Sequence, residues 1–234
     1  MIYLTGDTHN YLDIGRLSFH NFDDGRRLTK KDYVIILGDF GFPWADPPSK
    51  EEVYWRKWLN DKPWTTLFID GNHDNFHLLN HLGDIPMFGS EVGILETSIF
   101  HLRRGYVYTI DDKKFFTFGG GYSIDKHNRT PGLNWWPEEM PNNLEYELGL
   151  DNLHKHNGEV DYILTHTCGH RNFHRFAAKE GLIPGIRNED ELRHYFDKVE
   201  EIVQYKHWYC GHYHREHSHE KFTTMYHSIK KLEG

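Results

Sequence analysis

Five short apolar runs in the chain end abruptly in glycine or a polar residue. Ile2-Tyr3-Leu4-Thr5 gives way to Gly6-Asp7, Tyr33 to Leu37 gives way to Gly38-Asp39, and Thr66 to Ile69 to Asp70-Gly71. Later, Tyr162-Ile163-Leu164 runs into Thr165-His166, and His207 to Cys210 into Gly211-His212. Runs this short, rich in β-branched and aromatic residues and lacking polar alternation, predict strands buried on both faces.

Helical patterns lie between them. Ser49 followed by Glu52 has the form of a capping box and predicts a helix through Val53, Tyr54, Trp55, Trp58 and Leu59, ended by Pro63. Trp55 and Trp58 are expected on its core face. Leu192, Tyr195, Phe196, Val199, Ile202 and Val203 share one stripe and predict a second helix over residues 188–205. Ile99 to Ile110 and Phe115 to Phe118 read as an antiparallel hairpin turning through Asp111 to Lys114, and residues 222–226 as a further strand. Residues 121–152, rich in Gly, Pro, Asn and Trp, read as a functional insertion forming a rim, within one domain covering residues 1–234. The pattern as a whole is that of an α/β chain with mixed sheets.

Composition narrows the partners. Hydrophobic residues make up only 38% of the chain, but 14 Tyr, 15 Phe and 7 Trp supply large buried areas. The formal charge is −8 and there is no long run of Lys or Arg, which argues against duplex nucleic acid as a partner. A nucleotide or a short single strand stays open, because bound cations add positive charge that the count omits. No apolar run is long enough to span a bilayer and the first residues lack a leader pattern, so the expectation is a cytoplasmic protein with no membrane partner. Cys168 and Cys210 make no disulfide framework and read as reduced, buried thiols.

The polar residues beyond the strands carry the chemistry. In order they are Asp7-x-His9, Gly38-Asp39, Gly71-Asn72-His73-Asp74, Thr165-His166 and Gly211-His212-Tyr213-His214. Ligands of α/β sheets bind in the crevice beyond the strands' carboxyl ends, so five such groups are positioned to converge. They offer carboxylates, a carboxamide and imidazoles without thiolate, a donor mix for manganese, iron or zinc and not for a structural zinc-thiolate site. The chain holds 19 histidines. His170 and His174, at helical spacing, and His217 and His219, at strand spacing, imitate ligand pairs but read as exposed or supporting side chains.

These blocks resemble the signature of the calcineurin-like metallophosphoesterases: D-x-H, GD, GNH(D/E), a lone His and GHxH, all present in order from Asp7 to His214. The resemblance implies a four-layer α/β/β/α sandwich with two mixed β-sheets. It implies two divalent metal ions, the first bound by Asp7, His9 and His214, the second by Asn72, His166 and His212, with Asp39 bridging both. His73 would be the catalytic residue, facing substrate without binding metal. The implied reaction is hydrolysis of a phosphate mono- or diester by a metal-bridging hydroxide. Two alternatives accompany it: a nuclease or nucleotide phosphodiesterase acting on short single-stranded or cyclic substrates, and a non-catalytic scaffold of the same fold. The retention of all seven ligand positions argues against the scaffold.

One departure stands out. Relatives reading GDxVDRG use the second Asp to orient the catalytic His, whereas this chain reads Gly38-Asp39-Phe40-Gly41-Phe42, which leaves the positioning of His73 open and Asp74 as a possible substitute. A looser likeness to bacterial and phage members covers Gly119 to Ser123, Asp125, Arg129, Trp135, Trp136 and Glu138. Arg129, with a planar fork suited to oxyanions, and Trp135 and Trp136, with faces suited to a base or sugar, are the expected substrate-binding residues.

Overall fold

The computed structural model describes residues 1–180 and 189–233. The first three expected runs form β1 (Ile2–Thr5), β2 (Tyr33–Leu37) and β3 (Thr65–Ile69), which lie side by side and parallel. A hairpin follows, β4 (Asp84–Met87) and β5 (Ser90–Glu96), turning at Phe88-Gly89, both at positive φ, as a tight two-residue turn requires. β6 (Ile99–Leu102) pairs antiparallel with β5 and parallel with β3.

The chain then changes sheets. Residues 99–110, expected as one strand, break at Arg103-Arg104-Gly105, where Gly105 takes φ +76°. Arg104 explains the break: its guanidinium is buried 2.6 Å from the Asp70 carboxylate instead of lying along a strand. β7 (Tyr106–Ile110) and β8 (Lys113–Phe118) make the expected hairpin, but its turn is only Asp111-Asp112, both at positive φ. β9 (Tyr162–Thr165), β10 (His207–Cys210), β11 (His217–His219) and β12 (Phe222–Thr224) complete this second sheet, and β13 (Ile229–Lys231) returns to pair with β1. The strand orders are β13-β1-β2-β3-β6-β5-β4 and β11-β12-β10-β9-β8-β7. Each sheet has a parallel centre flanked by antiparallel strands.

Alternation along each strand distributes side chains between layers. Ile2, Leu4, Ile35, Leu37, Leu67 and Ile69 meet Tyr108, Phe115, Tyr162 and Leu164 between the two sheets. Tyr3, Val34, Ile36 and Phe68 face the other way, toward Leu59 of α1 (Lys50–Asn60) and Trp64. After the single turn of α2 (Phe76–Leu79), the remaining helices α3 (Asn143–Lys155), α4 (His170–Glu180) and α5 (Asp190–Ile202) cover the outer face of the second sheet through Tyr146, Leu153, Phe176, Leu192 and Phe196. The result is the α/β/β/α sandwich with two mixed sheets. Both faces of every central strand are covered, which is why the runs read as continuous apolar stretches.

Local details depart from expectation for physical reasons. Ser49 caps α1 by accepting from Glu52 N, but the Glu52 carboxylate reaches Trp44 N and Ala45 N rather than closing the capping box. Val53 and Tyr54 are exposed, and Trp55 and Trp58 only half-buried. α5 begins two residues later than expected, and Asn188 lies outside the described residues. The stretch 121–152 divides: two 3-10 turns end by Glu139, and α3, with a full capping box between Asn142 and Glu145, belongs to the helical layer. No helix among the described residues is long and apolar enough to cross a membrane.

Candidate metal centre

The parallel strands β1, β2, β3, β9 and β10 all end on one side of the sandwich, and the five polar blocks follow directly. Close approach there dictates two glycines. A Cβ at Gly71 would collide with the Asp39 carboxylate, and one at Gly38, at φ +91°, with the His166 ring. Four of the residues that gather at this end, His9, Asp39, His212 and His214, hold positive φ without being glycine. Strain of about 1–3 kcal/mol per residue is retained where surrounding structure over-determines the conformation, and such residues concentrate at functional sites.

Two groups of donors result. Asp7, His9, Asp39 and His214 each offer a ligand atom, all within 4.8 Å of one another. His214 Nε2 lies 3.0 Å from Asp7 Oδ2, yet that buried oxygen accepts no hydrogen bond. Asn72 Oδ1, His166 Nε2 and the His212 ring form the second group: the first two are 3.1 Å apart, and the rings of His166 and His212 are 4.9 Å apart, edge to face. Asp39 lies between the groups. Its Oδ2 is 3.4 Å from His9 Nε2 and its Oδ1 is 3.4 Å from His166 Nε2. All seven expected ligand residues are thus brought together, and an orphaned carboxylate oxygen amid nitrogen and oxygen donors fits a hard or borderline cation.

The family model for calcineurin-like phosphoesterases matches residues 1–216. The chain belongs to the calcineurin-like phosphoesterase family. No curated protein matches it significantly. A crystal structure of a Staphylococcus aureus protein described as a 5′-nucleotidase, in complex with alpha-ketoglutarate, shares the fold with a TM-score of 0.50 at 13% identity. That likeness covers 96% of this chain but 48% of the other, so this chain spans about half the neighbour's length. Family membership implies divalent cations as cofactors, and a cluster of donors that could hold one is in place.

Supporting contacts fix how the chain presents these donors. His166 Nδ1 is 2.8 Å from the Leu37 carbonyl, which leaves Nε2 facing Asn72 and Asp39. Asn72 donates its amide NH2 to Ser123 Oγ at 3.1 Å, turning Oδ1 toward His166. Ser123 N in turn donates to the buried Glu139. Ser123 was outside the expected site residues; only its place in the Gly-rich block hinted at it. Glu189 and Arg193, a buried pair at the start of α5, stand beside His212, with Glu189 Oε1 3.8 Å from His212 Nε2, and nothing in the sequence marked them.

Electrostatics follow from burial and crowding. Burial alone would push the Asp39 carboxyl up, but the adjacent His166 charge and hydrogen bonds from His166 and His9 hold it well below the ordinary carboxylate range. Burial would lower His9 and His166, yet Asp39 beside both raises them to about 9 and about 10. Burial and the His166 charge push His212 well down. Burial, together with the Asp39 charge, raises Asp74 to about 7.

His73 stands at the mouth of the centre. Its backbone N–H donates to Asp39 Oδ1 at 2.7 Å, while its buried Nδ1 has no partner. Asp74 does not orient it: the Asp74 oxygens accept from Gly41 N and Gly71 N, each at 2.7 Å, and tie two loops together. Instead Arg129 Nη2 approaches His73 Nε2 to 3.5 Å. Burial lowers the His73 imidazole, and Arg129 reinforces this against the pull of Asp39. Arg129 itself lays its fork on Asp125, with Nε and Nη2 both at 2.8 Å.

The expected aromatic rim is placed differently. Trp136 is 5% exposed and packs edge-on against Trp44 at 5.5 Å, which holds this stretch against the loop after β2. Trp135 is partly buried beside Lys126. Neither lines the cleft of about 450 Å³ that opens over the centre, whose walls include His73, Asn72, Ile124, Phe173 and Tyr213. Among the other histidines, His174 is exposed and His217 pairs with Glu180 at 3.2 Å. Cys168 and Cys210 are buried and unbridged.

Proposed function

We propose that this phosphoesterase hydrolyses a small phosphate ester using two divalent cations, one held by Asp7, His9, Asp39 and His214 and the other by Asp39, Asn72, His166 and His212. The observation that carries this reading is the division of the Asp39 carboxylate, one oxygen turned to each histidine group at equal distance. When bound, a cation pair polarises the phosphoryl group and lowers the pKa of a coordinated water. The protein supplies the rest. His73, planted on Asp39 through its backbone, faces the cleft beside the cluster, where its imidazole can hold a phosphoryl oxygen or deliver a proton to the leaving oxygen. A phosphate dianion arriving there offsets the burial that keeps His73 neutral. Arg129, within reach of His73, can share its fork between Asp125 and a phosphoryl oxygen. The donor set, without thiolate, suits manganese, iron or zinc.

The cleft favours a compact substrate. Its volume suits a phosphoryl group with a leaving group of nucleotide size, and the Phe173 and Tyr213 rings give it an aromatic wall. A nucleotide phosphodiesterase acting on cyclic or short single-stranded substrates is therefore the second reading, supported by that wall alone. The 5′-nucleotidase description of the Staphylococcus aureus neighbour puts nucleotides early in any panel.

Metal-free protein, titrated with Mn2+ and assayed on aryl mono- and diesters, nucleotides and cyclic nucleotides, tests both readings. Activity should be absent without metal and reach its plateau at two equivalents. A plateau at one equivalent, or full turnover in excess chelator, overturns the two-cation reading.

A further inference from the structure

Behind the first group of donors lies a brace that the reaction chemistry does not itself require. Asp13 Oδ2 stands 3.2 Å from His9 Nδ1, the nitrogen facing away from Asp39. Arg16 holds Asp13 from two sides: its Nε donates to the Asp13 carbonyl at 3.1 Å and its Nη2 lies 3.6 Å from Asp13 Oδ1. The same guanidinium donates through Nη1 to the Tyr226 carbonyl and sits 5.4 Å from the Tyr226 ring. That ring stacks on His214 at 4.4 Å, nearly parallel at 11°. One buried arginine therefore steadies both imidazoles of the group.

We infer that Asp13 is a positioning residue for the first cation, with Arg16 as its anchor; the inference rests on the two-cation reading above. A carboxylate facing Nδ1 keeps the proton on that nitrogen, turns Nε2 inward and strengthens the imidazole as a donor. His9 needs such a partner more than His166 does. His166 is fully enclosed and bonded to the fixed Leu37 carbonyl, whereas His9 sits on a positive-φ loop residue open to solvent on one side. Arg16 can stay buried because Asp13 and the Tyr226 carbonyl share its donors.

The test uses the full chain, freed of metal and titrated with Mn2+ by calorimetry, with electron paramagnetic resonance to count bound ions. The Asp13 side chain is 23% exposed, so Asp13→Ala and Asp13→Asn leave the core packing in place. Asp13→Ala should weaken one of the two Mn2+ ions by about 10- to 100-fold and leave the other within about twofold. Asp13→Asn, which keeps an acceptor but loses the charge, should fall between Ala and wild type. Unchanged affinities in folded Asp13→Ala overturn the inference, and so does equal weakening of both ions, the mark of a general structural role. Wild type that binds a single ion overturns the two-cation reading instead, and the ratio of variant to wild type for that ion still decides the role of Asp13.

Discussion

The two halves of the candidate centre hold their donors by opposite means. His9 and His214 sit on loops with solvent nearby, where His214 keeps 44% of its side chain exposed, while Asp7 beside them is buried. Their order comes from charge and bracing: two carboxylates with Asp39 included, Asp13 behind His9 and Tyr226 under His214. Asn72 and His166 are buried and His212 is 14% exposed, with Asp39 reaching His166 at 3.4 Å. Their order comes from enclosure, with the Leu37 carbonyl and Ser123 Oγ fixing which atoms face inward. A half held by charge should respond to changes in charge, and a half held by enclosure to changes in shape.

Asp39→Ala is the largest break, since it removes the one residue common to both halves. Turnover should fall by roughly 10³-fold or more, and Mn2+ stoichiometry should drop from two; a variant that still binds both ions contradicts the bridging role. His73→Ala separates chemistry from both halves. Its kcat should fall by roughly 10²–10⁴-fold while both Mn2+ affinities stay level in calorimetry, and an unchanged kcat would remove His73 from catalysis.

Proton competition touches the halves alike, because each contains one imidazole with a raised pKa. His9 at about 9 and His166 at about 10 are protonated in the metal-free chain at neutral pH, so cation binding must displace those protons. Affinity should rise with pH between 6 and 9, by up to about tenfold per unit for each proton displaced. The metal-free protein should do the reverse. Groups with raised folded pKa values stabilise it fully below their unfolded value near 6.5 and lose that contribution as pH climbs through about 10, so its Tm should decline across this window. A flat affinity profile would show that these imidazoles are already neutral.

The smallest break is aimed at one half. Ser123→Ala frees the Asn72 amide and should weaken one Mn2+ by about tenfold without moving the other. Equal effects on both ions would erase the distinction between enclosure and charge.

Legibility in the sequence followed contact range. The runs at Tyr33–Leu37 and His207–Cys210 announced themselves because strands buried on both faces leave no polar alternation, and the glycine after each marked where the chain turns toward the centre. The break between β6 and β7 was hidden because Arg104 finds Asp70 and Glu145 far along the chain, and no local pattern shows a long-range ion pair. The same reason hid Ser123, Glu189 and Arg193, which matter only through the partners they meet in space. The tryptophan pair misled because an aromatic in a Gly- and Pro-rich stretch looks available for stacking, whereas Trp136 is needed to pin that stretch against Trp44. The β4–β5 hairpin carries little sequence signal because Asp84–Met87 offers one β-branched residue, Ile85, beside Pro86, which argues against a strand.

Both native thiols are buried, which makes the surface free of reactive sulfur. Thr109→Cys, on an exposed strand position next to the Asp111-Asp112 turn, would therefore give a single handle for a dye or a solid support. Because β8 runs from that turn toward the end where Thr165 and His166 lie, the tether would leave the working mouth facing outward.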